Sequence, residues 1–188
     1  MGFTQPAYGR LWKSELYADG VNLNKKDYTN PAMEAEFGIK LNRDLDPNLI
    51  SSDYIEDSIE AIYPLIEIHN LVFYGNTPYG AELLANNAIH AGIILGTENK
   101  SPKNKITTDL KLIYDKELID AWSDKKWPYD MLSKVKWLVK ELAKINNVLK
   151  KDNLILTGAY GFPVPINNKE LIEVTSSAFG KVKAIFNS

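Results

Sequence analysis

Glu34 and Glu36 stand one residue apart in Met33-Glu34-Ala35-Glu36-Phe37-Gly38-Ile39-Lys40-Leu41. In an extended chain both side chains point the same way, about 7 Å apart along the strand. Two such carboxylates can hold a divalent cation between them once another oxygen ligand arrives from elsewhere. By itself Glu-x-Glu is also what a solvated strand face carries, because charged side chains mostly stay exposed. Glu67 poses a sharper question. It stands between Ile66 and Ile68 on a largely apolar stretch, and a carboxylate buried there needs a partner. The two histidines, His69 and His90, lack ligand spacing to each other. Each reads either as a hydrogen-bonded structural residue or as support behind a ligand.

The elements that must position these groups follow from periodicity. Ala35, Phe37, Ile39 and Leu41 alternate with Glu34, Glu36, Gly38 and Lys40, the period of a strand with one buried face. The stretch from Leu65 to Phe73 reads as a second strand. Between them, Ser51 to Ile62 reads as a helix, with Ile55, Ile59 and Ile62 as its apolar stripe and Pro64 as its end. Further strands are expected at Ala91–Gly96, Thr108–Lys116, Leu154–Gly158, Leu171–Thr175 and Lys181–Phe186. The stripe Leu132, Val135, Leu138, Val139, Leu142, Ile145 and Leu149 predicts a helix over 129–150 that serves packing, not catalysis. Gly2 and Phe3 read as a strand end, Asn22–Asn30 and Gly75–Gly80 as loops. The chain is therefore expected to be a strand-rich α+β domain spanning residues 1–188.

Composition removes whole classes of chemistry. The chain has no cysteine, which excludes disulfides, zinc–thiolate sites and thiol nucleophiles. A net charge of -2 with interspersed signs gives no electrostatic reason to expect nucleic acid. No apolar run reaches the length of a membrane span, and no signal peptide is visible at the start. A cytoplasmic protein with no membrane partner is the expectation. Phosphate-cradling glycine loops, nucleophile elbows and His-Glu-x-x-His are all missing.

The motifs nevertheless have an order: Glu34 to Leu41, Pro64-Leu65-Ile66-Glu67-Ile68, Ala85-Asn86-Asn87-Ala88, Gly92-Ile93-Ile94-Leu95-Gly96, Trp137-Leu138 and Leu156-Thr157-Gly158. Together they resemble the 2-keto-4-pentenoate hydratase and 4-oxalocrotonate decarboxylase branch of the fumarylacetoacetate hydrolase superfamily, over nearly the whole chain. The resemblance implies a mixed β-roll fold. It also implies Mg²⁺ or Mn²⁺ held by Glu34, Glu36 and Glu67, and a lyase acting on a short 2-hydroxydienoate or 2-oxo acid through a metal-stabilised enolate. A homo-oligomer, dimer or larger, is expected.

The resemblance further implies a Lys-x-Gly strand whose lysine would sit immediately before Met1-Gly2-Phe3-Thr4, in an N-terminal segment the chain does not show. Asn70 occupies the place, three residues after Glu67, where the family often has Asp. Asn70 and His69 are accordingly the candidates for the catalytic role. Asn87 and Thr157 are expected to line one cleft and bind the substrate, although turn-forming roles suit both residue types equally. Two rival readings accompany the lyase. One is an acylpyruvate-type carbon–carbon hydrolase of the same superfamily; the other is a truncated, non-catalytic paralogue that binds a 2-oxo acid.

Overall fold

Two β-sheets carry the chain, and the strands that bear the acidic residues lie in the middle of the first. A computed structural model describes residues 6–75, 79–168 and 170–188. Gly2, Phe3 and the middle of the Gly75–Gly80 loop lie outside the described residues. In chain order the elements begin with β1 (Leu16–Ala18), β2 (Val21–Asn24), β3 (Pro31–Leu41), α1 (Ser52–Asp57) and β4 (Ile59–Asn70). Next come α2 (Ala81–Ala85), β5 (His90–Leu95), β6 (Asn99–Lys100), β7 (Ile106–Tyr114) and β8 (Glu117–Trp127). The chain finishes with α3 (Tyr129–Ala143), β9 (Leu154–Leu156), β10 (Val164–Pro165), β11 (Leu171–Ser176) and β12 (Gly180–Asn187).

The first sheet runs β1-β5-β4-β3-β10, with β6 also paired to β4 and β9 to β3. The second runs β2-β12-β11-β7-β8. β1 pairs with β5 and β2 with β12 in parallel, while the other neighbours are antiparallel. This is the strand-rich α+β arrangement that the periodicity predicts, with the mixed sheets that the resemblance implies.

The core fills the space between the sheets. Met33, Ala35, Phe37, Ile39 and Leu41 of β3 join Ile62, Ile66 and Ile68 of β4, all buried. They meet Leu110, Leu112, Val174, Val182, Ala184 and Phe186 from the second sheet, and Met131, Val135 and Val139 of α3. The alternate residues of β3 and β4 therefore face away from this core, and Glu34, Glu36 and Glu67 are among them.

Two predicted elements differ. The helix expected over 51–62 stops at Asp57, capped by Ser51, whose side chain accepts from the Tyr54 N–H at 3.2 Å. Ile59 and Ile62 already belong to β4. Their spacing satisfies a helix and a buried strand alike, so periodicity alone could not separate the two. Pro64 does not end a helix but sits inside β4, opposite Phe37. Its carbonyl accepts the Gly96 N–H at 3.0 Å, so its nitrogen faces the gap between β5 and β6, where no ladder hydrogen bond is lost.

The helix expected over 129–150 ends at Ala143. Asn146 takes a left-handed φ of 54°, and the Asn147 N–H donates back to Leu142 O at 2.9 Å. That is a helix-ending turn with asparagine in the position glycine usually fills. Leu149 stays buried from the loop beyond it. β2 lies partly inside the segment expected to be a loop. β8 escapes periodicity because its solvent side is polar and its pairing with β7 slips twice.

Candidate metal centre

Register assembles the site. β3 and β4 pair Glu34 with Glu67, Glu36 with Leu65 and Ala32 with His69. Residues directly opposite in an antiparallel pair share a face, as do residues two apart on one strand. Glu34, Glu36, Glu67 and His69 therefore rise from one face of the first sheet, the face turned away from the core. None is solvated. Glu34 is 8% exposed, Glu36 2% and His69 6%.

The side chains meet. His69 Nε2 lies 3.1 Å from Glu34 Oε2 and 3.6 Å from Glu67 Oε2. Donor atoms of Glu34, Glu67 and His69 all fall within 4.8 Å of one another. Glu36 is tied to the group by the charge of Glu67 acting on it, and its Oε2 accepts the Gly158 N–H at 2.9 Å. Gly158 takes φ +80° there, a conformation open to glycine that turns its N–H toward the carboxylate.

His90 extends the network. β5 pairs Ile93 with Glu67 and His90 with His69, across an irregularity between Ile68 and His69. His90 Nδ1 stands 2.6 Å from Glu67 Oε1, and its Nε2 faces Glu15 Oε2 at 3.5 Å. Gly92 is what lets the segment carrying Glu15 approach, since a Cβ there would stand 2.9 Å from Tyr17 Cε2 and 3.4 Å from Glu15 O. The turn before His90 is strained: Asn87, Ala88 and Ile89 all have φ between 50° and 59°, at about 1–2 kcal/mol for a non-glycine residue.

Electrostatics divides the carboxylates. Burial, the facing charge and hydrogen bond of Glu67, and the charge of Glu34 push the Glu36 carboxyl well above its usual range. Burial also acts upward on Glu67, but the His90 hydrogen bond and the charges of His69 and His90 outweigh it and hold Glu67 below the ordinary value. Burial acts downward on His69, yet the hydrogen bond to Glu34 and the charge of Glu67 win, so His69 keeps its proton more readily than a free imidazole. Two buried carboxylates and a half-buried third held this close are costly unless a cation joins them. The donor set, oxygen-rich with one imidazole, fits a hard divalent ion.

The other expected site residues fall elsewhere. Asn70 follows His69 in β4 and so takes the opposite parity. Its Oδ1 accepts the backbone N–H groups of Thr29 and Asn30, at 2.8 and 3.1 Å. That placement corrects the catalytic expectation for Asn70: it clamps the loop that leads into β3. Asn87 is committed to Arg10, accepting its N–H and donating to its carbonyl, both at 2.8 Å. Thr157 is buried with its hydroxyl unpaired, one residue beyond the Gly38–Leu156 pairing.

Sequence reasoning also missed Lys134. The helix read as packing alone reaches the site through this residue, whose Nζ donates to Gly158 O at 3.1 Å. No sequence signal points to it, because its neighbour Gly158 lies 24 residues away. His69 did leave a signal: Glu67-x-His69 repeats the parity of Glu34-x-Glu36.

No protein-family profile matches the chain. Individual relatives do. The TodF product hydratase of Pseudomonas putida (strain F1) is 26% identical over 188 residues, covering 99% of this chain and 70% of its own length. The 2-oxo-hept-4-ene-1,7-dioate hydratase of Escherichia coli is 24% identical over 195 residues, covering 97% and 72%. In fold, the 4-oxalocrotonate decarboxylase from Pseudomonas putida G7, a structure complexed with magnesium and adipate, superposes with a TM-score of 0.84. It is 19% identical and matches over 95% of this chain and 69% of its own. Along the length of the chain, then, this protein is similar in sequence to these hydratases and in fold to the 4-oxalocrotonate decarboxylase.

Proposed function

We propose that the chain is a divalent-metal-dependent lyase, a hydratase or decarboxylase of short 2-hydroxydienoates or 2-oxo acids. The observation that carries this is the cross-strand pair Glu34–Glu67, gathered with buried Glu36 and His69 on one sheet face. The names of the hydratase relatives, and the magnesium in the decarboxylase of like fold, support it.

In this reading Glu34, Glu36 and Glu67 hold Mg²⁺ or Mn²⁺, with His69 Nε2 beside them. When bound, such an ion supplies a Lewis acid that polarises the 2-oxo group of the substrate. The remaining work falls to the chain itself. Gly158 N–H fixes the orientation of Glu36. His90, backed by Glu15, fixes that of Glu67, the outer support that metal-binding side chains commonly need. His69 Nε2 stands 3.1 Å from Glu34 Oε2; in this reading it lies beside the ion rather than on it and moves the proton as the dienol interconverts with its keto form. Positioned proton transfer of this kind contributes typically ~10²–10⁴-fold. The burial of the cluster keeps bulk water from competing for that proton.

The test is turnover of 2-hydroxypenta-2,4-dienoate by chelator-stripped protein, followed by loss of its ultraviolet absorbance. Activity should return with Mg²⁺ or Mn²⁺ and disappear in Glu67→Ala. Protein that neither turns over this dienoate nor binds any 2-oxo acid in a metal-dependent way would refute the reading.

A further inference from the structure

Two lysines converge next to this centre and neither is locked in an ion pair. Lys125 Nζ of β8 lies 4.3 Å from the centroid of the Tyr160 ring, and Lys134 Nζ of α3 lies 4.9 Å from the same centroid. Among the described residues, neither ammonium makes an ion pair with a carboxylate; the hydrogen bond of Lys134 goes to the neutral carbonyl of Gly158. Glu36 and Asp130 act on Lys134 only at longer range, Glu36 the more strongly, and Asp130 Oδ2 is taken by the Lys126 N–H at 2.8 Å.

Two like charges on one ring repel, and cation–π contact offsets this only in part. The Tyr160 hydroxyl is buried and has no hydrogen-bond partner. Trp122 holds the ring from the side, with centroids 6.3 Å apart. The contact requires Gly161, since a Cβ there would fall 2.6 Å from Trp122 Cζ2. Two cations and an unpaired hydroxyl, braced in place, make a receptor for an anion.

Its position says which anion. Gly158 gives its N–H to Glu36 and its carbonyl to Lys134, so one residue separates the carboxylate cluster from the lysines. A short substrate with its 2-oxo-acid end at the cluster has its other end beside Lys134. Resting on the lyase reading above, we propose that Lys125, Lys134 and Tyr160 receive the second carboxylate of the substrate, so that the protein selects short 2-oxo dioates over the corresponding monoacids.

The experiment compares 2-oxoadipate with 2-oxohexanoate, equal in length and differing in the distal carboxylate, by calorimetric titration into Mg²⁺-loaded protein. Wild type should bind the dioate about tenfold or more tightly, the scale of one or two charge-assisted hydrogen bonds at a half-exposed site. Lys134→Met and Lys125→Met should each weaken the dioate several-fold and leave the monoacid within about twofold, while Lys134→Arg keeps most of the preference. Equal affinities in wild type, or a preference that survives both Met variants, would overturn the inference and leave the lyase reading standing. Metal-dependent binding of neither ligand would instead bring down the lyase reading, and the inference with it. The wild-type comparison decides the matter even if a Met variant fails to fold.

Discussion

Glu36→Gln takes one charge out of the cluster while keeping its shape, and the amide oxygen can still accept the Gly158 N–H. The charges of Glu67 and Glu34 both bear on Glu36, and two unit charges about 5 Å apart in an effective dielectric near 20 repel by about 3–4 kcal/mol. Metal-free wild type avoids part of this by keeping Glu36 protonated, and the cost of doing so depends on pH. Below the usual glutamate value of 4.5, folded and unfolded chains both hold the proton and the substitution changes little. Above it the unfolded chain releases a proton that the folded chain keeps. Wild-type stability then falls by about 1.4 kcal/mol per pH unit until the raised folded value is passed. Glutamine has no such slope. The shift of His69, whose causes do not include Glu36, is common to both proteins and largely cancels in the difference.

The variant should therefore match wild type near pH 4.5 and exceed it by about 3 kcal/mol at pH 8 with chelator present. For a chain of this length that is a rise in Tm of about 6–12 °C. Adding Mg²⁺ reverses the order. At a hundred times its Kd the ion stabilises wild type by about 2.7 kcal/mol, whereas the variant, short of one ligand, should gain far less. Scanning calorimetry at pH 4.5, 6 and 8, with chelator and with Mg²⁺, reads all of these. A variant less stable than wild type at pH 8 in chelator, or one with an undiminished Mg²⁺ response, would show that the three carboxylates do not compete for one cation.

Other expectations follow from single contacts. The imidazole of His69 should titrate above the usual 6.5 in metal-free protein; its stabilising contribution is complete below that pH and lost as pH rises through the raised value. Proton NMR of the ring should show this, and Mg²⁺ should move the midpoint down. Gly96→Ala places a Cβ 2.7 Å from Pro64 O and 2.9 Å from Lys181 O, both backbone atoms, so urea unfolding should find a loss of about 2–3 kcal/mol. Asn70→Ala should cost about 1 kcal/mol through the released Thr29 and Asn30 N–H groups, with Mg²⁺ affinity within about twofold of wild type.

How much of this was legible depends on whether a residue's role is local. β3 was legible because parity is a local property: Phe37 and Ile39 inward forces Glu34 and Glu36 outward. Glu67 was legible as an anomaly, a carboxylate that its apolar neighbours could not explain. The start of β4 was not, because Ile55, Ile59 and Ile62 are buried in both the helical and the extended reading. Asn70 was misplaced for a different reason. A spacing of three carries no parity information unless the segment is known to be a strand, and in β4 it sends Asn70 to the face opposite Glu67. Lys134 lay beyond sequence reasoning altogether, since its neighbours Gly158 and Tyr160 come from another part of the chain.

Core and metal centre are two faces of the same pair of strands, which ties their fates together. A slip of one residue between β3 and β4 would carry Glu34 and Glu36 into the space between the sheets and turn Phe37 and Ile39 outward. The apolar face therefore fixes the register to within one residue, and the register alone sets Glu34 across from Glu67. The carboxylates contribute nothing to that choice. Their mutual repulsion works against it, and the core must offset the difference until a cation arrives. A site built this way is expected to be preformed without metal, with Glu34, Glu67 and His69 already within reach of one ion. Binding should then stabilise the fold without rearranging it, which far-ultraviolet circular dichroism unchanged by Mg²⁺, alongside a raised Tm, would establish.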